Sequence, residues 1–165
     1  MGHTRALTKV KFNREGDLIF TVSKDSKPCV WFSSDGEKLG TFDGHSGAIW
    51  DLDISSCSTK LLTGSADNSL RLWSVSNGQE LKKWETKSAV RCVSFAEGDK
   101  SALFVTDNTM GEKSTIHIIE LEGPKVEAII IEGSKATQAK WGKSNQTLIT
   151  GHEDGTVSIY DAKVL

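Results

Sequence analysis

Twice in this sequence an imidazole, a hydroxyl, a carboxylate and an indole recur at the same offsets. The first set is His3, Thr21, Asp25 and Trp31; the second is His45, Thr63, Asp67 and Trp73, displaced by 42 positions throughout. A carboxylate held in a tight turn lowers its free energy through charge-assisted hydrogen bonds, each contributing about 1.5–3 kcal/mol. Constant spacing of this kind points to a structural clamp. Thr150, Asp154 and Tyr160 keep the same offsets without a histidine in step, and the copy before them retains little beyond Asp107. The two other histidines are His117, in a run of strand-forming residues where a surface or cross-strand role fits, and His152, in a turn beside Glu153. The His152-Glu153-Asp154 cluster is the nearest approach to a catalytic or metal site, but Asp154 already serves as a turn carboxylate. No G-x-S-x-G elbow, P-loop or paired metal spacing occurs. The chain therefore reads as non-enzymatic, with no catalytic residue, metal or cofactor.

What must position these groups is a repeat. Gly2-His3 recurs as Gly44-His45, Leu39 as Leu81 and Phe42 as Trp84, all at the same 42-residue interval. Two weaker copies follow, in which residues 89–95 and 136–141 match the run ending at Phe12. Apolar residues alternate within each copy, as in Leu70-Arg71-Leu72-Trp73, and Val, Ile, Thr and Trp are frequent, which favours strands. Turn residues fall between the runs: Glu15-Gly16-Asp17 and Glu97-Gly98-Asp99, then Asp67-Asn68 and Asp154-Gly155, then Asp35-Gly36 and Asn77-Gly78. Each repeat predicts four short antiparallel strands, and four-stranded units recurring roughly every 40–45 residues are the signature of propeller blades. The expected fold is all-β, a single incomplete propeller over residues 1–165 with blades at 1–42, 43–85, 86–132 and 133–165. The third blade is degenerate, with an insertion at 108–114, and the fourth is expected to lack its last strand.

Composition narrows the functions open to such a segment. Charged residues make up 25% and the formal net charge is -2, with Lys and Arg scattered singly among Asp and Glu. The basic footprint needed to neutralise several phosphates is absent, which disfavours direct nucleic-acid binding. The first residues hold no apolar signal core, and the longest apolar stretch is far too short to cross a membrane. Three cysteines, Cys29, Cys57 and Cys92, are odd in number and lack C-x-x-C spacing, which fits free thiols in a reducing compartment and a cytoplasmic location.

The offsets of the two sets resemble the buried tetrad of WD repeats. That resemblance implies the wiring: the turn Asp accepts from the His, the His meets the Thr, and the Thr meets the indole N–H. The likeness rests on spacing and not on the Trp-Asp dipeptide, because the repeat-terminal pairs are Trp31-Phe32, Trp73-Ser74 and Tyr160-Asp161. Longer stretches are similar to the WD-repeat subunit I of eukaryotic translation initiation factor 3. They include Asn13-Arg14-Glu15-Gly16-Asp17-Leu18, Gly36-Glu37-Lys38-Leu39-Gly40-Thr41, Leu62-Thr63-Gly64-Ser65-Ala66-Asp67-Asn68-Ser69 and Gly151-His152-Glu153-Asp154-Gly155.

This second resemblance implies a seven-bladed, non-catalytic scaffold in the multi-subunit factor that loads the small ribosomal subunit. Its partners would be other subunits of initiation factor 3, subunits B and G among them, with the ribosome contacted indirectly. A main docking surface of that family lies on later blades and transfers to no residue here. A signalling scaffold similar to the serine/threonine kinase receptor-associated WD-repeat protein is the alternative on the same fold. The chain corresponds to about half of such a propeller, and three explanations stand: a fragment, the ordered part of a longer chain, or a short protein that closes by pairing. An open half exposes a strand edge and a bare blade face.

By comparison with other WD-repeat proteins, the residue five after the Gly-His histidine is commonly exposed on the partner-binding face. Here that position is Thr8, Trp50, Arg91 and Thr137. A tryptophan and an arginine on adjacent blades have the composition of a binding hot spot. The competing reading packs Trp50 between blades and leaves Arg91 solvated.

Overall fold

A computed structural model describes residues 2–109 and 111–162. Four antiparallel sheets follow one another along the chain. The first holds β1 (Leu7–Phe12), β2 (Leu18–Ser23), β3 (Cys29–Phe32) and β4 (Lys38–Thr41), paired in that order. The second holds β5 (Ile49–Ile54), β6 (Lys60–Ser65), β7 (Ser69–Ser74) and β8 (Glu80–Glu85). The third holds β9 (Val90–Phe95), β10 (Ser101–Thr106), β11 (Thr115–Glu120) and β12 (Val126–Ile130). Among the described residues the fourth holds three strands, β13 (Ala136–Trp141), β14 (Thr147–His152) and β15 (Val157–Asp161). This is the all-β propeller segment that the repeat predicts.

The hairpins close where the sequence places turn chemistry. Gly36 and Gly78 adopt φ of 74° and 71° in the turns that join β3 to β4 and β7 to β8, a region that disfavours a Cβ. In the insertion of the third sheet, Thr109 and Glu112 form an isolated antiparallel bridge.

The second and third sheets bury their second strands on both faces, so these patterns read as apolar runs and not as alternation: β6 is buried from Leu61 to its end and β10 from Ala102 to its end. The apolar clusters lie between consecutive sheets. Phe20, Val22 and Phe42 of the first sheet pack with Ile49, Leu52 and Trp73 of the second. Leu62 and Leu70 of the second meet Val90, Val93 and Phe104 of the third. Cys92, Leu103 and Ile116 of the third meet Ala136, Ala139 and Leu148 of the fourth. Burying one methylene-rich side chain in such an interface contributes about 1.5–3 kcal/mol. Gly64 allows the second and third sheets to approach, since a Cβ there would lie 2.6 Å from Val90 Cγ1.

The first strands of the sheets stand side by side and are stitched by side chains. Thr8 Oγ1 donates to Ile49 O at 2.5 Å, Lys9 pairs with Asp51 at 3.2 Å, and Lys11 pairs with Asp53. Asp51 Oδ2 accepts from Val93 N at 3.0 Å and Asp53 Oδ2 from Phe95 N at 2.7 Å. At the next junction the Cys92 sulfur accepts from Ala139 N at 3.3 Å. Burial pushes the Cys92 thiol up to about 12, with the Asp51 charge acting in the same direction. The β1–β2, β5–β6, β9–β10 and β13–β14 turns are tied too: Ser58 Oγ donates to Glu15 at 2.6 Å, Ser56 to Asp99, and Asn145 Nδ2 to Glu97 O at 2.8 Å.

Both ends of the row present sheet faces that elsewhere are covered. Val10 is 51% exposed, whereas Leu52 and Val93 at the same register position are 1% and 0% exposed. At the other end Ile149 is 41% exposed, whereas Phe20, Leu62 and Leu103 in the corresponding place are fully buried. No helix among the described residues is long and apolar enough to cross a membrane.

Candidate functional site

The two complete sets meet in space. His3 Nδ1 lies 2.9 Å from Asp25 Oδ2 and His3 Nε2 lies 2.7 Å from Thr21 Oγ1, which receives the Trp31 indole N–H at 2.8 Å. In the second sheet the distances are 2.8 Å for His45 to Asp67, 2.7 Å for His45 to Thr63 and 2.8 Å for Trp73 to Thr63. A carboxylate only accepts, so Nδ1 carries a proton. The threonine hydroxyl can then donate to Nε2 while its lone pair takes the indole proton. The histidine arrives from the loop before the first strand, the threonine from the second, and the tryptophan from the third, so each network binds three segments of one blade.

Burial opposes ionisation of Asp67. Hydrogen bonds from His45 and Ser69 outweigh it, with the Ser46 N–H adding a third, and the carboxyl is held well below the usual carboxylate range. Asp25 is held low in the same sense, burial again opposing and the Thr4 and Lys27 amides and His3 prevailing. Asp67 is held further, by Ser69 Oγ at 2.6 Å. In both blades these groups face one another and hydrogen-bond among themselves.

The third and fourth blades depart from the expectation. Thr150, Asp154 and Tyr160 do not form a chain with one another: Asp154 Oδ1 accepts from Thr156 N at 3.0 Å and from its hydroxyl at 2.6 Å, and Tyr160 packs on the apolar cluster around Leu148. His152 is no turn residue. It ends β14, where its Nε2 lies 2.9 Å from Thr150 Oγ1 and its Nδ1 2.9 Å from Ser134 O. Asp107 does not stand at the tetrad aspartate's place either. Thr63 and Phe104 occupy the same register position, so Asn108 takes the place of Asp67, while Asp107 falls with Lys24, Ala66 and Glu153. With Phe104 replacing the threonine there is no hydroxyl for an imidazole to meet, and His117 instead stacks on Phe104 at 4.5 Å. Burial lowers the His117 pKa.

The four positions compared with partner-binding residues lie at the same end of their strands, but they differ in what they do. Thr8 is committed to Val22 O and Ile49 O, and Thr137 is exposed with its hydroxyl on Gly151 O at 3.1 Å. Trp50 and Arg91 come together: the Arg91 guanidinium lies 4.5 Å from the Trp50 ring centroid, and the Lys24 ammonium 5.9 Å from it. Arg91 is no free solvated cation. Asp107 binds it at 2.6 Å and binds Lys135 at 2.9 Å, and Lys135 continues to Glu153 at 3.1 Å. These partners hold the Asp107 carboxyl below its ordinary range although burial opposes them. Trp50 is half-buried, and its Nε1 is buried without an acceptor among the described residues. Trp50, Arg91, Lys135 and Thr137 line one cleft. Lys24 was not singled out in the sequence, and Asp107 and Glu153 were noted there only for other roles, although counting three residues on from Thr21, Phe104 and Thr150 reaches all of them.

A row of four antiparallel sheets, two of them locked by an imidazole, carboxylate, hydroxyl and indole network, defines a segment of a repeat-built β-propeller. The family described as "WD domain, G-beta repeat" matches residues 1–31, 36–74 and 129–161, and the chain belongs to it. The unmatched stretch 75–128 holds most of the third sheet, where the network is lost.

Among curated proteins the chain is similar to "Eukaryotic translation initiation factor 3 subunit I" of Neurospora crassa, 46% identical over 98% of this chain and 49% of that protein. The same-named proteins of Schizosaccharomyces pombe and Nematostella vectensis are 46% and 43% identical, again over 98% of this chain, and 52% and 51% of their own lengths are covered. The chain thus spans about half the length of these relatives. Among solved structures, the computationally designed Ika4 protein superposes with a TM-score of 0.79 at 21% identity, covering 97% of this chain and 93% of that one. That likeness concerns the fold alone.

Proposed function

We propose that this chain is a non-catalytic protein-interaction scaffold acting in translation initiation, as part of eukaryotic initiation factor 3. The observation that carries this reading is the 46% identity to subunit I relatives over nearly the whole chain. Its partners are other subunits of the factor, with subunits B and G foremost, and through them the small ribosomal subunit; direct nucleic-acid contact is not part of the proposal. Its location is the cytoplasm.

The structure supports a contact surface around Trp50 and Arg91. A rigid aromatic ring flanked by cations, with its arginine fixed by Asp107, suits a partner segment that brings acidic or amide groups. Affinity-tagged chain expressed in eukaryotic cells should co-sediment with small ribosomal subunits together with initiation factor 3 subunits, and lose both when those subunits are stripped at high salt. Absence of factor subunits from the captured fraction at low salt refutes the proposal.

A further inference from the structure

The third blade carries none of the four tetrad groups, and a cavity opens where they would stand. His3 and His45 lie four residues before Leu7 and Ile49, which pair with Ser23 and Ser65. The same count back from Val90, which pairs with Thr106, reaches Thr86. Phe104 holds the place of Thr63, and Ile119, which pairs with Ala102 as Trp73 pairs with Leu61, holds that of Trp73. Threonine for histidine and isoleucine for tryptophan remove two rings, and Phe104 returns one. What remains is a cavity of about 330 Å³ between the second and third sheets, lined in part by Trp84, Thr86, Phe104, His117 and Val126. That volume lies at the small end of ligand sites.

The junction one blade earlier shows what such a space takes. Phe42 is 1% exposed there, edge-on to Trp73 at 6.0 Å, and Trp73 is edge-on to His45 at 5.9 Å. Trp84 holds the place of Phe42 in the second sheet, but among the described residues it meets no ring, and the Lys82 ammonium lies over it at 4.9 Å. The facing wall is the stack of His117 on Phe104. Burial lowers the His117 pKa, so its ring is neutral near pH 7, with one N–H and one lone pair. Among the described residues neither nitrogen has a hydrogen-bond partner. On β12, Val126, Ala128 and Ile130 share the face of His117, and Val126 and Ile130 are 53% and 59% exposed. An apolar strip therefore runs from the cavity along the outermost strand.

We propose that this cavity receives one tyrosine side chain from an extended segment of a partner protein laid along β12. The phenol ring stands in for the missing rings, meeting Trp84 and the His117–Phe104 stack. Its hydroxyl, which can donate or accept, completes the His117 imidazole. A leucine fills the space but leaves the imidazole unpaired. A charged side chain gains little, since Lys87 and Glu112 beside the cavity already neutralise each other at 2.9 Å.

p-Cresol, the tyrosine side chain without its backbone, should bind the 165-residue chain with a dissociation constant on the order of 1 mM. It should shift the NMR signals of the Trp84 indole and the His117 ring. The peptide acetyl-Gly-Ser-Tyr-Ser-Gly-amide should bind at least as tightly and shift the same signals. Its counterpart with leucine for tyrosine should bind roughly fivefold more weakly, the worth of one hydrogen bond. Thr86→His returns an imidazole to the cavity and should weaken p-cresol and the tyrosine peptide by roughly tenfold while circular dichroism shows intact strands. If that variant does not fold, His117→Ala, which removes one wall, is scored at the Trp84 signal. Binding of p-cresol without the tyrosine peptide would make this a site for a free aromatic molecule, and equal binding of the leucine peptide an unselective cleft. Either result overturns the proposal, as does unchanged affinity in the folded variant or the absence of any shift.

Discussion

His152 lies 2.9 Å from the hydroxyl of Thr150, two residues before it on the same strand, and so supplies from within β14 the imidazole that His3 and His45 supply from a preceding loop. The substitute binds less of the blade. His45 joins a loop to two strands, whereas His152 links its own strand to Ser134 O alone.

Removal of the two imidazoles should therefore differ in effect. His45→Ala leaves the nearly buried Asp67 carboxylate and the Thr63 hydroxyl without their partner and should cost about 3 kcal/mol. His152→Ala, at a partly exposed site, should cost about 1 kcal/mol. Urea midpoints of the two variants check this, and equal shifts would contradict the hierarchy.

Asp67→Ala should destabilise the chain by roughly 3 kcal/mol, because it orphans the His45 Nδ1 proton in a closed network. An unchanged urea midpoint would mean that the tetrad does not clamp its blade.

The depressed carboxyls of Asp25 and Asp67 give stability a pH dependence of definite sign. Below the ordinary value of 3.8 the unfolded chain takes up protons that the folded chain resists. Their contribution is therefore present above that value and lost as pH falls through the folded values. Unfolding free energy should drop steadily between about pH 5 and pH 2. Asp67→Asn should flatten that drop, and a variant with the original slope would locate the protons elsewhere.

At the loop end of the strands, Trp50→Ala and Arg91→Ala should each weaken capture of initiation factor subunits by about 2–4 kcal/mol in binding free energy. Thermal denaturation run in parallel separates this from unfolding. Intact capture with a lowered melting temperature would place Trp50 among the packing residues.

Gly64→Ala tests the inter-sheet packing directly. The added methyl would meet Val90 Cγ1 at 2.6 Å and Val93 Cγ1 at 3.0 Å, an overpacked contact that should cost about 1–3 kcal/mol. Scanning calorimetry should find the loss, whereas Gly151→Ala, where nothing lies within 4 Å of the new methyl, should cost less.

Much of the fold was legible because turn and tetrad residues repeat at fixed offsets: the 42-residue interval marked the two complete sets, and their resemblance to the tetrad of WD repeats implied that His3 meets Asp25 and His45 meets Asp67. The third and fourth blades were misread where one register position changed chemistry. Phe104 in a threonine's place removed the hydroxyl that gives a blade its imidazole. His152 sits on the strand side of its turn, which a count from upstream histidines does not reach. The cluster around Trp50 was half legible. Its ring and its arginine lie five residues after an alignable start, but Lys24, Asp107 and Glu153 come from a second set of loops, and only the pairing of strands brings the two sets together.

The β5–β6 turn that ties Ser56 to Asp99 also carries Cys57, the exposed member of the three thiols, whereas Cys29 and Cys92 are buried. Hydrogen bonds from Thr59 and Ser55 lower its pKa, while burial pushes the Cys92 thiol the other way. A maleimide dye offered to the folded chain near neutral pH will therefore settle on a single atom beside the second sheet, giving a reporter on that rim without altering the sequence.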